Sequence, residues 1–298
     1  MKHTLKVTIT LILFFFMAQF TGLLVINQYI DHKRSVETQI VSYKPLPYGF
    51  ERPQVENQST SFIYVLVAVL IGTSAILLLI KFRKISLFIW KVLFFISVST
   101  ALSIAFAAFL NVYVAGILAV GISFLRLYRP NIIIHNFSEI FIYGGLAAIL
   151  VNIFNLFGAF MLLIAISAYD YVAVFRTKHM IKLAEFQSQS RVFAGLFIPY
   201  EMPKSIGKKS SKGEPKKSVA VLGGGDIGFT LIFAGVVMKY LMLQNSVLTG
   251  FLKTLIIPVF VSIALLILLV KGQQSKFYPA MPVLSLGCFI GYLIIFLS

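Results

Sequence analysis

At 298 residues, 59% of them hydrophobic and 12% charged, the chain carries about half the charge of an average soluble domain, which excludes an ordinary water-soluble fold. Its net charge of +16 points to basic loops beside anionic lipid. Nucleic-acid binding is excluded because no basic stripe is interleaved with exposed aromatics, and the single cysteine, Cys288, excludes a disulfide or a cysteine-based metal site within one chain.

Apolar runs of roughly 20 residues, enough to cross about 30 Å of hydrocarbon, predict an all-α polytopic membrane bundle. About nine spans fall near 5–27, 61–80, 87–108, 110–127, 138–154, 155–175, 219–241, 247–270 and 278–297. The first follows Lys2 and Lys6, exceeds a signal-peptide core in length and ends without an A-x-A-like site, so it is expected to remain as a span. With alternating orientation, nineteen Lys and Arg residues share one side and only Lys33, Arg34, Lys44 and Arg52 the other. That asymmetry predicts a cytoplasmic amino terminus and an external carboxyl terminus.

Two loops are long. Residues 28–60 form an external segment with the sequon Asn57-Gln58-Ser59, and residues 178–217 form a basic cytoplasmic loop. The first part of that loop, 180–197, suits a helix on the membrane surface, and the part from Pro203 to Ser218 suits disorder. The expected organisation is a six-span half (1–177), the loop (178–217) and a three-span half (218–298).

Eight of the ten acids fall in loops or at span edges, Glu139 among them as an exposed edge residue. Asp170 and Asp226 do not: both are embedded in apolar sequence, where an acid costs about 2.5–3.5 kcal/mol on insertion scales. Asp170 precedes the basic marker Arg176, and Asp226 follows the start of its span at Ser218, by roughly 9 and 12 Å of helix respectively. Consecutive antiparallel spans therefore set two carboxyls at similar depth. Two facing carboxyls share one proton, and such a pair activates a water in aspartic proteases or relays protons in a transporter. Position alone leaves both readings open.

Tyr169-Asp170, Gly223-Gly224-Gly225-Asp226 and Pro279-Ala280-Met281-Pro282 occur in that order over most of the chain. The set resembles the YD, GxGD and PAL motifs of the presenilin and signal peptide peptidase family of intramembrane aspartyl proteases. Val174, Thr177, Lys178, His179 and Met180 resemble the family's segment after YD. Met281 stands where the family has Leu, an apolar exchange of similar volume. The resemblance implies Asp170 and Asp226 as the catalytic pair, with Tyr169, Gly223, Gly224, Gly225, Pro279, Ala280 and Met281 supporting the site and seating substrate. It implies no metal or cofactor, and substrates that are single-span proteins in the bilayer. The orientation matches the presenilin branch, and the small size resembles a prokaryotic, archaeal homologue in a plasma membrane. Self-association into a homo-oligomer stays open. A prepilin-type peptidase would lack the YD and PAL elements, and a transporter or leak channel remains the non-enzyme alternative.

The three glycines before Asp226 weaken the start of a helix by about 1 kcal/mol each. Ser218–Leu222, rich in Val, is therefore either a strand that an unwound substrate can join or the first turn of the span. Tyr169 either donates a hydrogen bond to Asp170 or simply packs beside it. His179 reads as an interfacial residue, and Gly144 and Gly145 as a site of close helix packing.

Overall fold

The structure is a computed structural model that describes residues 4–80, 83–129, 131–177, 193–200, 219–272 and 278–298. Its helices are α1 (Leu5–Tyr29), the short α2 (His32–Thr38), α3 (Ser61–Ile80), α4 (Arg83–Ala107), α5 (Val112–Tyr128), α6 (Ile132–Leu150) and α7 (Leu156–Val172). After α7 come β1 (Gly195–Pro199), β2 (Val219–Gly223), α8 (Gly224–Gln244), α9 (Val247–Thr254), α10 (Ile256–Lys271) and α11 (Met281–Leu297). Among the described residues, seven helical stretches are long and apolar enough to cross a membrane; α5 and α11 are apolar but shorter, at 17 residues each.

Backbone N–H groups at helix starts find no water in hydrocarbon, so polar caps mark the corners of the bundle. Asn111, Asn131, Asn155 and Ser246 begin α5, α6, α7 and α9, each accepting an N–H from the first turn. α8 is apolar around its whole circumference, as a helix at the centre of a bundle must be. It packs against α1, α6, α7, α10 and α11, with Ile227, Leu231, Phe233 and Met238 buried. Close approach elsewhere depends on glycine. A Cβ on Gly145 would lie 2.0 Å from the Ala101 carbonyl oxygen of α4, and one on Gly144 would lie 3.1 Å from Gly22 Cα of α1.

The segment after α1 folds back over it. Ile30 bridges Tyr43, and Arg52 lies over the rings of Tyr29 and Tyr43 while donating to the carbonyls of Lys44 and Ala148.

The structure corrects four readings of the sequence. The fifth apolar helix starts at Ile132 rather than 138, because Asn131 caps it and its polar residues His135, Asn136, Ser138 and Glu139 all have partners inside the protein. Glu139 is consequently 1% exposed and ion-paired with Arg126, not an exposed edge residue. The seventh apolar run is not helical throughout. Val219–Gly223 is a strand, because its β-branched Val residues meet a partner in Gly195–Pro199, and the helix begins only at Gly224. The same pairing makes 195–197 part of a strand and not of a surface helix; His179 and the expected disordered stretch lie outside the described residues.

Candidate active site

Asp170 occupies the last turn of α7, and Asp226 the first turn of the adjacent α8. Asp170 is 6% exposed and points at the start of α11, where the Met281 N–H donates to its Oδ2 at 3.1 Å and the Ala280 N–H also serves its carboxylate. These are donors that a helix start leaves without internal partners, so the Pro279–Met281 segment and the acid satisfy each other. The Met281 side chain is 3% exposed in an apolar socket, which explains how Met stands for Leu. Ser167 and Ser285 join α7 and α11 again at 2.8 Å. One residue before the acid, the Tyr169 hydroxyl donates to Thr73 Oγ1 of α3 at 3.2 Å.

Asp226 lies at a helix amino terminus, where exposed N–H groups favour negative charge. Its carboxylate turns back over Gly223, with Oδ2 at 3.4 Å from where a Cβ would stand. Thr230 donates to the Asp226 carbonyl at 2.8 Å, and Gln19 of α1 donates to Thr230 Oγ1 at 2.7 Å and to the Ile227 carbonyl at 2.9 Å. The first turn of α8 is thereby tied to α1. Asp170 and Asp226 thus stand on two helices, α7 and α8, that pack against each other. The three glycines differ in kind. A Cβ on Gly224 would come within 2.5 Å of the Tyr143 hydroxyl, whereas one on Gly225 would meet only Phe229 at 3.5 Å.

Beside the acids lies the two-stranded antiparallel sheet, with Leu196 opposite Leu222 and Phe197 opposite Val221. Leu196, Ile198, Ala220 and Leu222 bury one face against the bundle. Asn136 of α6 clamps the far edge of β1, donating to the Phe197 carbonyl at 2.7 Å and accepting its N–H at 3.0 Å. His135 contacts the Gly195 carbonyl at 2.7 Å. Because the polar groups of Phe197 face away from β2, Phe197 and Val221 form a non-hydrogen-bonded pair. The N–H and C=O of Val221, and by the same parity those of Val219 and the N–H of Gly223, face the outer edge of β2, while the Gly223 carbonyl starts the hydrogen bonds of α8. Among the described residues the sheet has two strands, so that edge has no third strand.

Sequence reasoning passed over Gln19, Arg126, Asn136 and Tyr143 and misplaced Glu139. The signal for Gln19 was an amide within the first apolar run; for Asn136, Glu139 and Tyr143 it was polar residues crowded into one helix, and for Arg126 a cation at the end of the helix before it. A cavity of about 740 Å³ lined by Asn155, Tyr240, Gln244 and Lys253 lies at the far end of α8. Along a helix rising 1.5 Å per residue, Gln244 is roughly 27 Å from Asp226, so that cavity is separate from the acids.

A family model described as signal-peptide peptidase, presenilin aspartyl protease matches residues 21–298. Two solved structures of a presenilin family intramembrane aspartate protease, in C222 and P2 space groups, share the fold with TM-scores of 0.59 and 0.61. Each is 17% identical to this chain; the matches cover 96% and 97% of this chain and 95% and 96% of those chains. No curated protein gives a significant match.

Proposed function

This chain belongs to the signal-peptide peptidase and presenilin aspartyl protease family, and on that premise we propose that it is an intramembrane aspartyl endopeptidase with Asp170 and Asp226 as its catalytic pair. The observation that carries the proposal is that two acids stand on packed apolar helices, Asp170 in the last turn of α7 and Asp226 in the first turn of α8, with Asp170 held by the start of α11. One carboxylate takes a proton from water as the water oxygen attacks the scissile carbonyl carbon, and the other, protonated, gives its proton to the carbonyl oxygen. The tetrahedral diol then collapses: a proton passes to the amide nitrogen, the C–N bond breaks, and a carboxylic acid and an amine separate.

Substrates are single transmembrane helices, whose peptide bonds are hidden in their own hydrogen bonds until locally unwound. The outer edge of β2 supports a route for holding the unwound stretch as an added strand. Non-helical backbone at membrane depth is tolerable when paired in this way. The wider setting is a nine-span chain with a cytoplasmic amino terminus in a prokaryotic plasma membrane, cleaving substrates whose amino termini lie outside. The charge asymmetry of the loops supports that orientation.

The test uses purified protein in lipid with a single-span reporter. Wild type should cleave, Asp170→Ala and Asp226→Ala should not, and a transition-state-analogue aspartyl inhibitor should block wild type. Cleavage persisting in either well-folded variant overturns the dyad. No cleavage by any form, together with proton flux through wild type, would favour transport instead. The strand route has its own probe. Val221→Pro removes an outward N–H without breaking a β1–β2 bond, so turnover should fall while the hairpin survives; unchanged turnover removes the strand from the mechanism.

A further inference from the structure

A second buried polar cluster beneath the hairpin takes no part in the reaction outlined above. Arg126, in the last turn of α5, and Glu139 of α6 are 5% and 1% exposed and form an ion pair through Glu139 Oε1. Glu139 Oε2 accepts from the Tyr143 hydroxyl one turn further along α6. The Arg126 guanidinium also donates to Ser138 Oγ and to the Phe193 carbonyl, each at 2.8 Å, the second just ahead of β1. His135, which holds the Gly195 carbonyl, sits 3.8 Å from Glu139. At the other end of the chain of contacts, Tyr143 fills the space that a side chain on Gly224 would need and lies alongside Gly228. A Cβ would fall 2.5 Å from its hydroxyl at Gly224 and 3.7 Å from its Cδ1 at Gly228. Asp226 lies between those two glycines.

Burying an ion pair in an apolar bundle seldom adds stability over well-packed hydrophobic residues of similar volume. Stability therefore does not account for this one. What distinguishes it is its reach: hydrogen bonds run from the entry of β1 through Arg126 and Glu139 to Tyr143, and Tyr143 packs on Gly224 in the turn of α8 that carries Asp226.

We propose that Arg126, Glu139 and Tyr143 form a positioning relay that holds the β1–β2 hairpin and the Gly224–Gly228 turn in one frame, so that a peptide backbone lying along the hairpin is registered against Asp226. The relay rests on the protease reading for its purpose but not for its physical content. None of the three residues touches substrate; each acts through the backbone it fixes.

The test combines amide hydrogen exchange with kinetics on the full chain in lipid. Tyr143→Phe removes one hydroxyl and keeps the ring against Gly224. It should speed exchange in both 195–199 and 222–228, and lower kcat about tenfold with KM within about twofold, because bound substrate is held but misregistered. Its thermal midpoint should fall only slightly, as the loss of one hydrogen bond from a carboxylate still paired with Arg126 requires. The paired apolar replacement Arg126→Met with Glu139→Leu leaves no lone charge, should fold, and should show the same signature. Unchanged exchange in both segments, or faster exchange in only one, overturns the relay. So does wild-type kcat in the paired replacement. If wild type cleaves no reporter, the protease reading fails while the exchange data still decide the relay, so the two failures are distinct.

Discussion

Asn136→Ala is the sharpest probe of how the hairpin is held. The amide is 4% exposed and satisfies both backbone groups of Phe197, at 2.7 and 3.0 Å. Alanine leaves that N–H and C=O without partners, and an unmet buried polar group costs about 1–3 kcal/mol. Two such groups, with some relief as the strand edge relaxes, give roughly 2–4 kcal/mol of local destabilisation. A two-stranded sheet is marginal on its own, so the cost falls on the hairpin and not on the bundle. At about 1.4 kcal/mol per factor of ten, local opening should rise roughly 30- to 700-fold. Hydrogen exchange in 195–199 and 220–223 should accelerate by that factor while exchange at the centre of α8 and the thermal midpoint stay near wild type. On the proposed reading KM for a single-span substrate should rise. Hairpin exchange within about threefold of wild type would mean that burial of Leu196, Ile198, Ala220 and Leu222 holds the sheet unaided, and the reasoning would fail.

Three further outcomes follow from the same geometry. Gly224→Ala should abolish most cleavage because a Cβ 2.5 Å from the Tyr143 hydroxyl must displace the ring, whereas Gly225→Ala, with its nearest contact at 3.5 Å, should keep much of it; equal losses in a reporter assay would contradict the distinction. Met281→Leu exchanges similar volumes in a buried socket while leaving the backbone N–H on Asp170, so activity should stay within about twofold. Lys239→Met removes the ammonium that donates to the carbonyls of Val151 and Phe154 at the α6–α7 corner, and should lower stability by about 1–3 kcal/mol in a denaturation series; an unchanged midpoint would show that the corner holds without it.

The apolar helices were legible because a membrane demands long runs of a kind that soluble folds avoid. The two acids stood out for the same reason: a carboxyl inside such a run is costly enough to need an explanation. Glu139 escapes notice because it sits near the start of a run, where an acid normally faces water, and Arg126 is one of the nineteen basic residues whose distribution sets the orientation. Only their approach across the α5–α6 turn shows that they neutralise each other. Val219–Gly223 was ambiguous for another reason. Five residues rich in Val suit a strand or a helical turn equally, and the deciding partner, β1, lies within a loop whose composition suggested helix. Periodicity cannot report a pairing between residues twenty or more positions apart.

The hairpin also bears on why a strand stands at the mouth of an otherwise helical bundle. A helix entering from the bilayer brings no free backbone groups, so unwinding it near the acids exposes N–H and C=O groups where water is scarce. The outer edge of β2 offers backbone partners at Val219, Val221 and Gly223, immediately before the turn that carries Asp226. On the proposed reading, an extended peptide joining that edge recovers hydrogen bonds lost on unwinding, and the β2–α8 junction delivers it to the acid without a flexible linker. The sheet would then be completed by its own substrate. Val221→Pro and Asn136→Ala separate the two halves of this argument. Proline removes a donor from the outer edge and should lower turnover with β1 still paired, whereas alanine loosens β1 and should raise KM with the outer donor intact. If both variants gave the same kinetic change, edge pairing and hairpin support would not be separable functions, and the sheet would act only as a spacer.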